Sequence, residues 1–315
     1  MKHENDKVMK YETRNMKKEV KSPIIKNQSS KIIFVVGPTA SGKSSLAMKL
    51  AHRLNGEIVC ADSQTIRRGL DIGTAKPSAN DQKEIKHHML DIIGPYDTYS
   101  VNQFKIDALQ AISNIRSGGK VPIIVGGTGL YINALFFDYE LEESENIGGY
   151  KQKLEQLSTN ELQAVITSNG YKMPENKDNP RHLVGTILRR GKTNQNDTPI
   201  PGALIYGLLP GDETLKNRIN NRVDEMFASG FVAEVESLIE TYGRPTWQMD
   251  AIGYPIVMRF LDGEVTLEEA KQLFKTAHWQ YARRQKSWFK TNPYINWLNN
   301  GAEARDAIIR EVKSY

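Results

Sequence analysis

The 315-residue sequence has a single cysteine, Cys60, and no apolar run that approaches the length of a membrane-spanning helix. One cysteine excludes an internal disulfide and a multi-cysteine zinc site, and its apolar neighbours predict a small buried side chain. A spanning helix needs about 18 or more apolar residues, and the N-terminus also lacks the apolar core of a signal peptide. These absences favour a cytoplasmic protein that makes no membrane contact.

Most of the net positive charge lies in the N-terminal 30 residues. The formal net charge is +5, and residues 1–30 alone hold eight Lys or Arg residues against four acidic ones. Because these residues are polar and lack apolar periodicity, we interpret them as a flexible basic extension. The remaining chain is close to neutral, so any nucleic-acid surface on it must be a local basic patch.

Residues 31–50 have the order of elements that a phosphate-binding loop requires. The apolar run Ile32–Val36 predicts a buried parallel strand, residues 37–44 spell G-x-x-x-x-G-K-S, and apolar residues then recur at helical spacing. Backbone N–H groups and the helix dipole attract a polyanion there, Lys43 adds a full charge, and the Ser44 hydroxyl can hold Mg²⁺. The pattern predicts binding of a di- or triphosphate. Kinases, GTPases, ATPases and some transferases share this loop, so the reaction stays open.

Strands alternate with helices along the first half of the chain. This alternation predicts an α/β fold, a doubly wound parallel sheet of the P-loop type, with ligands at the carboxyl ends of its strands. Ser100 is the predicted N-cap of a helix that runs to about residue 117. The further predicted strands are 57–61, 87–92, 121–125 and 203–209, with a loop over the site at 64–77 and a glycine-rich loop at 126–129.

The pattern changes between residues 138 and 200, where no strand-like run occurs and apolar residues recur at helical spacing. We interpret this region as a small all-helical insertion domain. Further helices are predicted at 213–229 and 267–290, the second as the last helix of the chain. The predicted organisation is therefore an extension at 1–30, the first part of the core at 31–137, the insertion at 138–200, and the core completion with basic C-terminal helices at 201–315.

Several side chains are candidates for chemistry. Asp62 follows the strand beside the phosphate loop, where a carboxylate acts either as a general base or as a water-mediated Mg²⁺ ligand, and both roles stay open. Arg222, one turn after Arg218, either neutralises a leaving phosphate or belongs to a solvated helix face. His87 and His88 have no third ligand at a recognisable spacing, so we do not predict a metal site there.

A cluster near the end of the 267–290 helix combines basic and aromatic residues. This composition suits phosphate contacts and base stacking, and a helix with a basic outer face and an aromatic core face has the same composition. Its members are Tyr281, Arg283, Arg284, Lys286, Trp288, Phe289 and Lys290.

A set of motifs, in order over most of residues 31–298, closely resembles the tRNA dimethylallyltransferases. They are G-P-T-A-S-G-K-S, A-D-S, R-G-L-D-I-G-T-A-K-P, H-H-M-L-D, Y-S-V-N-Q-F, G-G-T-G-L-Y, F-x-x-E-V, A-I-G-Y and Y-A-R-R-Q-x-x-W-F. The resemblance implies transfer of the dimethylallyl group of dimethylallyl diphosphate to N6 of the tRNA adenosine just 3′ of the anticodon. The product would be N6-(dimethylallyl)adenosine, formed by a monomeric enzyme.

The resemblance also implies roles at the matching positions. Asp62 would be the general base, Thr128 would line the reaction channel, and Arg222 would bind the diphosphate from the side opposite the loop. The diphosphate would be held by Gly37, Pro38, Thr39, Ala40, Ser41, Gly42, Lys43 and Ser44, with a Mg²⁺ cofactor on Ser44. The insertion domain would contact the tRNA anticodon stem-loop, together with Asp62, Ser63, Gln64, Thr65, Arg181, His182, Asp250, Ile252, Gly253, Tyr254, His278, Tyr281, Arg283, Arg284 and Gln285.

Four residues depart from the family pattern near the implied tRNA surface: Arg67, Gly185, Pro255 and His278. These departures suggest one alternative, RNA binding by a paralogue with weakened catalysis. Prenylation of a free adenine nucleotide and phosphorylation of a small metabolite also stay open. The basic C-terminal helix and the helical insertion argue against the free nucleotide, because a small acceptor needs neither.

Overall fold

A computed structural model describes residues 31–139, 153–174, 176–188, 198–245, 251–298 and 302–313, so the extension predicted at 1–30 lies outside the described residues. The strands are β1 Ile32–Val36, β2 Gly56–Cys60, β3 His87–His88, β4 Val121–Gly126, β5 Ala203–Leu208 and β6 Asn296–Leu298. The helices are α1 Lys43–Leu54, α2 Ala79–Glu84, α3 Val101–Ser117, α4 Gly129–Phe136, α5 Thr159–Ser168, α6 Pro180–Leu188, α7 Asp212–Ala228, α8 Phe231–Tyr242, α9 Tyr254–Leu261, α10 Leu267–Lys290 and α11 Ala302–Lys313.

The strands form one parallel sheet in the order β3-β2-β4-β1-β5-β6. All five residues of β1 are buried, as expected for a central strand covered on both faces. The register places Val36 level with Gly126 and Cys60 level with Val125. The loops that leave β1, β2 and β4 therefore emerge side by side at one edge of the sheet, which confirms the predicted fold class.

The three largest apolar clusters of the described residues hold the helices in place. The largest covers the sheet, where α1 packs with α11 and α3 packs with α4, so that two helical layers flank the strands. A second cluster joins α7, α8, α9 and α10 around Phe231, Tyr254 and Phe274. A third lies between α5 and α6, in the region predicted to be helical. Among the helices of the described ranges, none is long and apolar enough to cross a membrane.

The structure corrects two predicted elements. The strand predicted at 87–92 ends after His88, because Met89 and Asp91 adopt left-handed φ values of 65° and 54° that a strand cannot accommodate. The helix predicted to be the last, α10, does begin at Leu267 and end at Lys290, but β6 and α11 follow it. By contrast, α3 is capped by Ser100, whose side chain accepts from the Gln103 N–H as predicted.

Candidate functional site

The loop between β1 and α1 is shaped to receive an anion. Gly37, Ala40 and Gly42 have positive φ values of 148°, 60° and 95°, which turn the backbone back on itself. A Cβ at Gly37 would lie 2.5 Å from the carbonyl oxygen of Leu208, so only glycine fits against β5. No side chain caps α1 at Gly42 and its first turn holds no acidic residue, so its N-terminal N–H groups are available to a ligand.

Two cations face this loop from different elements. The Lys43 ammonium, on α1, donates to the carbonyl oxygen of Pro38 at 3.2 Å. The Arg222 guanidinium, on α7, lies 3.4 Å from the hydroxyl of Thr39. The pKa of Lys43 is lowered to about 8, first by its removal from solvent and then by the charge of Arg222, while Asp62 acts in the opposite direction. The charges of Arg222 and Asp62 thus both act on the ammonium of Lys43, which indicates that the three groups lie close together.

Asp62 and Thr128 lie at the ends of the neighbouring strands. Asp62 follows β2, and its carboxylate accepts from the N–H of Gln64 at 2.9 Å, which forms a tight turn after the strand. The hydroxyl of Thr128, just before α4, accepts from the N–H of Ser63 at 3.1 Å. A Cβ at Gly126 would lie 2.0 Å from the carbonyl oxygen of Ala61, so the two strand ends meet only because residue 126 is glycine.

Helix α10 contributes three polar side chains to the site at helical spacing. Gln285 is buried and binds the backbone of both Thr39 and Gly127. Tyr281, whose pKa is raised chiefly by burial, lies beside Thr128 and Gln285. His278 is also buried, and burial followed by the charge of Arg222 lowers its pKa to about 4, so the imidazole is neutral. Its Nδ1 has no hydrogen-bond partner among the described residues.

These elements enclose a cavity of about 200 Å³ at the carboxyl edge of the sheet. Its lining includes the polar side chains that carry the candidate chemistry, Lys43, Ser44, Asp62 and Arg222. It also includes the apolar or weakly polar side chains of Ala47, Ile58, Cys60 and Val125. The arrangement can therefore hold an anionic group and an apolar group in one ligand, next to a carboxylate.

All the residues with implied tRNA contacts except Gly253 and Tyr254 fall into three groups. Those that line the cavity are Asp62, Ser63, Gln64, Thr65, Ile252, His278, Tyr281 and Gln285. Those exposed on outer surfaces are His182, Arg283 and Arg284. Asp250 and the side chain of Arg181 lie outside the described residues.

The structure corrects the expectation for several of these residues. Tyr254 is completely buried and donates to the carboxylate of Glu234 at 2.6 Å, so no surface of it is available to RNA. Gly253, before it, packs against the Phe274 ring, where a Cβ would meet a ring atom at 2.4 Å. The side-chain amide of Gln285 is already engaged in hydrogen bonds to the loops at Thr39 and Gly127. The departure at Arg67 does not reach an RNA surface either, because its guanidinium is buried and donates to the carbonyl oxygens of Pro95 and Asp97.

Two residues that fix the cavity wall from a distance had no predicted role, although both lie inside the motifs. Glu234 and Lys76 hold residues 71–77, four of which line the cavity. A signal for Glu234 existed: it lies three residues after Phe231 and one before Val235, on the apolar face of α8. A carboxylate in such a stripe needs partners, which the sequence alone does not reveal. In the described ranges, no group of three or more His, Cys, Asp or Glu residues is arranged to hold a metal.

The fold and the site together define a phosphate-loop α/β protein with a carboxylate and apolar lining residues beside its anion site. A family model described as IPP transferase matches residues 65–292, most of this unit. The chain belongs to that family.

Similar proteins cover nearly the whole chain. A tRNA dimethylallyltransferase of Carboxydothermus hydrogenoformans is 34% identical over 308 residues, which cover 90% of this chain and 96% of the relative. One from Staphylococcus aureus (strain JH9) is 36% identical over 301 residues, with coverages of 89% and 96%.

Solved structures agree with this assignment. The tRNA isopentenylpyrophosphate transferase of Staphylococcus epidermidis has a TM-score of 0.69 at 34% identity, covering 91% of this chain and all of its own. A eukaryotic dimethylallyltransferase, described as acting on tRNA, has a TM-score of 0.72 at 25% identity, covering 86% of this chain and 74% of its own.

Proposed function

We propose that the protein transfers the dimethylallyl group of dimethylallyl diphosphate to N6 of the tRNA adenosine that lies just 3′ of the anticodon. The observation that carries the proposal is the placement of Asp62 next to an anion site that two cations, Lys43 and Arg222, face from different helices. The apolar lining residues of the cavity suit a five-carbon isoprenoid chain. A kinase transfers only a phosphoryl group, so its site does not require apolar lining residues beside the carboxylate that serves as the base.

In this reaction, the bond between C1 of the dimethylallyl group and the diphosphate oxygen breaks, and its electron pair leaves with the diphosphate. The N6–C1 bond forms, and the N6 proton passes to the carboxylate of Asp62. Lys43, Arg222 and the N–H groups at the start of α1 stabilise the charge that develops on the leaving group. Because an allylic carbon supports positive charge, one carboxylate suffices as the base.

The site suits Mg²⁺ bound mainly by its substrate. The Ser44 hydroxyl is in the first turn of α1 and lines the cavity, where it would be one oxygen ligand. Mg²⁺ commonly takes a few protein oxygens and completes its shell with phosphate oxygens and water, which agrees with this sparse donor set. Bound there, the ion would neutralise part of the diphosphate charge.

The proposed tRNA surface surrounds the mouth of the cavity. The target adenosine must leave the anticodon stack to reach Asp62, as in other enzymes that modify bases. Arg283 and Arg284 are exposed on α10, the helix whose Tyr281 and Gln285 line the cavity. We assign backbone phosphate contacts to this pair and a further contact to the insertion, through His182 and Arg181. Because residues of one chain, within the described ranges, bring the phosphate loop, Asp62 and Arg222 to the same cavity, we propose that the protein acts as a monomer.

The test supplies labelled dimethylallyl diphosphate with Mg²⁺ and three acceptors separately. These are a tRNA with adenosine 3′ of its anticodon, the same tRNA with guanosine there, and AMP. The proposal expects label in the first tRNA alone. Labelling of AMP would instead indicate a free-nucleotide prenyltransferase, and tight tRNA binding without transfer would indicate an RNA-binding paralogue.

A further inference from the structure

The carboxylate of Glu234, on α8, receives four hydrogen bonds from two other segments. Its Oε2 accepts from the N–H groups of Asp71 and Ile72 at 3.0 and 2.7 Å. Its Oε1 accepts from the N–H of Gly73 at 3.1 Å and from the Tyr254 hydroxyl at 2.6 Å. Three consecutive backbone N–H groups thus converge on one side chain that lies more than 160 residues away along the chain.

A buried lysine fixes the other end of the same segment. The side chain of Lys76 is 4% exposed, and its ammonium donates to the carbonyl oxygen of Arg67 at 2.8 Å and to the carboxylate of Asp91 at 2.6 Å. Between the two ends, Ala75 has a φ of 52°, a left-handed conformation that is costly for a residue with a Cβ. The bonds to Glu234 and Lys76 hold this strained conformation in place.

The segment at residues 71–77, which we call the partition, separates two spaces. Gly73 and Thr74 line the reaction cavity alone, whereas Asp71, Ile72 and Lys76 line only a neighbouring groove of about 480 Å³. Ala75 and Pro77 border both spaces, as do Arg222 and Met226. A displaced partition would join this groove to the cavity beside the diphosphate site.

We propose that Glu234 is a positioning residue that keeps water out of the reaction by holding the partition closed. This inference rests on the proposed function, because it concerns the fate of the dimethylallyl group. An allylic carbon that is losing its diphosphate reacts with any nucleophile within reach. In the competing reaction, a water oxygen bonds to C1, the C1–diphosphate bond breaks, the electron pair leaves with the diphosphate, and the water releases a proton. The products are dimethylallyl alcohol and diphosphate.

Glu234→Gln changes the partition and leaves the size of residue 234 unaltered. An amide has one accepting oxygen, so its NH₂ group must face at least one of the three backbone donors. An unpaired buried donor shifts an equilibrium by roughly 5- to 100-fold, so the displaced population of the partition rises. Lys76→Met tests the other end independently. Glu236→Gln is the matched control, since it makes the same change at an exposed position of the same helix.

The experiment measures, for each protein with labelled dimethylallyl diphosphate and tRNA, the ratio of labelled alcohol to labelled tRNA. Alcohol formed in the absence of protein is measured in parallel and subtracted, so that both products counted come from folded enzyme and the ratio is independent of how much of a variant has folded. We expect a several-fold higher ratio for Glu234→Gln and for Lys76→Met, and the wild-type ratio for Glu236→Gln.

A wild-type ratio in both partition variants would overturn the inference, and so would an equal rise in the Glu236→Gln control. If Glu234→Gln formed neither product, the ratio of Lys76→Met would decide. Failure of the wild-type protein to label tRNA would contradict the proposed function itself, which keeps the two failures apart.

Discussion

The side-chain carbonyl of Gln285 accepts a hydrogen bond from the backbone N–H of Thr39, 2.8 Å away in the phosphate loop. Its amide donates to the carbonyl oxygen of Gly127, in the loop after β4, at 2.9 Å. A Cβ at Gly127 would lie 2.2 Å from that amide nitrogen, so the side chain enters only because the residue is glycine. One buried amide on α10 therefore sets the distance between the diphosphate loop and the loop that carries Thr128.

Replacing Gln285 by methionine should impair transfer and spare tRNA binding. Methionine keeps the length of the side chain and leaves the Thr39 N–H and the Gly127 carbonyl unpaired. A displacement of about 1 Å between reacting groups costs up to roughly 100-fold in rate, so we expect a fall in kcat of about 10- to 100-fold. Steady-state kinetics and a separate tRNA binding titration distinguish the two effects.

Gln272→Met is the control, because Gln272 is exposed on the same helix. If Gln285→Met weakened tRNA binding and left kcat unchanged, Gln285 would contact RNA directly.

The sequence predicts those elements whose signals are local. The phosphate loop, the capped start of α3 at Ser100 and both ends of α10 all follow from neighbouring residues. The end of β3 depends on left-handed residues, Met89 and Asp91, that no short pattern marks. Helices α8 and α9 form half of the second apolar cluster, yet they went unassigned because turn-forming residues separate short amphipathic stretches there.

Among the site residues, too, local sequence signals predict some positions and long-range packing determines the others. The positions of Lys43 and Asp62 follow from strand ends and a loop motif. The roles of Gln285, Tyr254 and Glu234 depend on partners 20 to 246 residues away, which only the packing of α8, α9 and α10 reveals. The motifs therefore indicate which polar residues are candidates, and the packing of the helices is needed to distinguish an RNA contact from an internal hydrogen bond.

Asp62→Asn should nearly abolish transfer with tRNA affinity intact. The amide can still accept from the Gln64 N–H through its oxygen, which preserves the turn after β2. It cannot accept the N6 proton, and a general base is worth roughly 10²- to 10⁴-fold. Single-turnover transfer and tRNA binding should be measured on the same preparation. Transfer above about 1% of the wild-type rate would assign Asp62 to orientation or metal binding.

Binding of inorganic pyrophosphate should depend on the protonation of Lys43. Its pKa is lowered to about 8, and the protonated form is the one that attracts the anion. As the pH rises through about 8, the free protein loses this proton and its affinity for pyrophosphate should fall. Arg222→Ala removes a positive neighbour, which raises the pKa of Lys43, so the fall should begin at a higher pH although binding is weaker throughout.

Calorimetric titrations between about pH 7 and pH 10 cover this transition. Lys43→Ala serves as the reference, because it retains the ionisation of pyrophosphate itself and lacks the lysine. A midpoint in Arg222→Ala equal to or below that of the wild type would contradict the electrostatic coupling between the two cations.

The salt dependence of tRNA binding should separate two kinds of basic residue on α10. Arg283 and Arg284 are exposed, whereas the ammonium of Lys286 lies 2.6 Å from the carboxylate of Asp212 and is already neutralised. Each phosphate contact contributes about 0.7 to 0.9 to the slope of log K against log salt. The pair Arg283→Ala/Arg284→Ala should therefore lower the magnitude of the slope by about 1.4 to 1.8, and Lys286→Ala by well under half of that. An unchanged slope in the arginine pair would place the tRNA surface elsewhere, and an equally large change in Lys286→Ala would mean that RNA displaces Asp212 from its lysine.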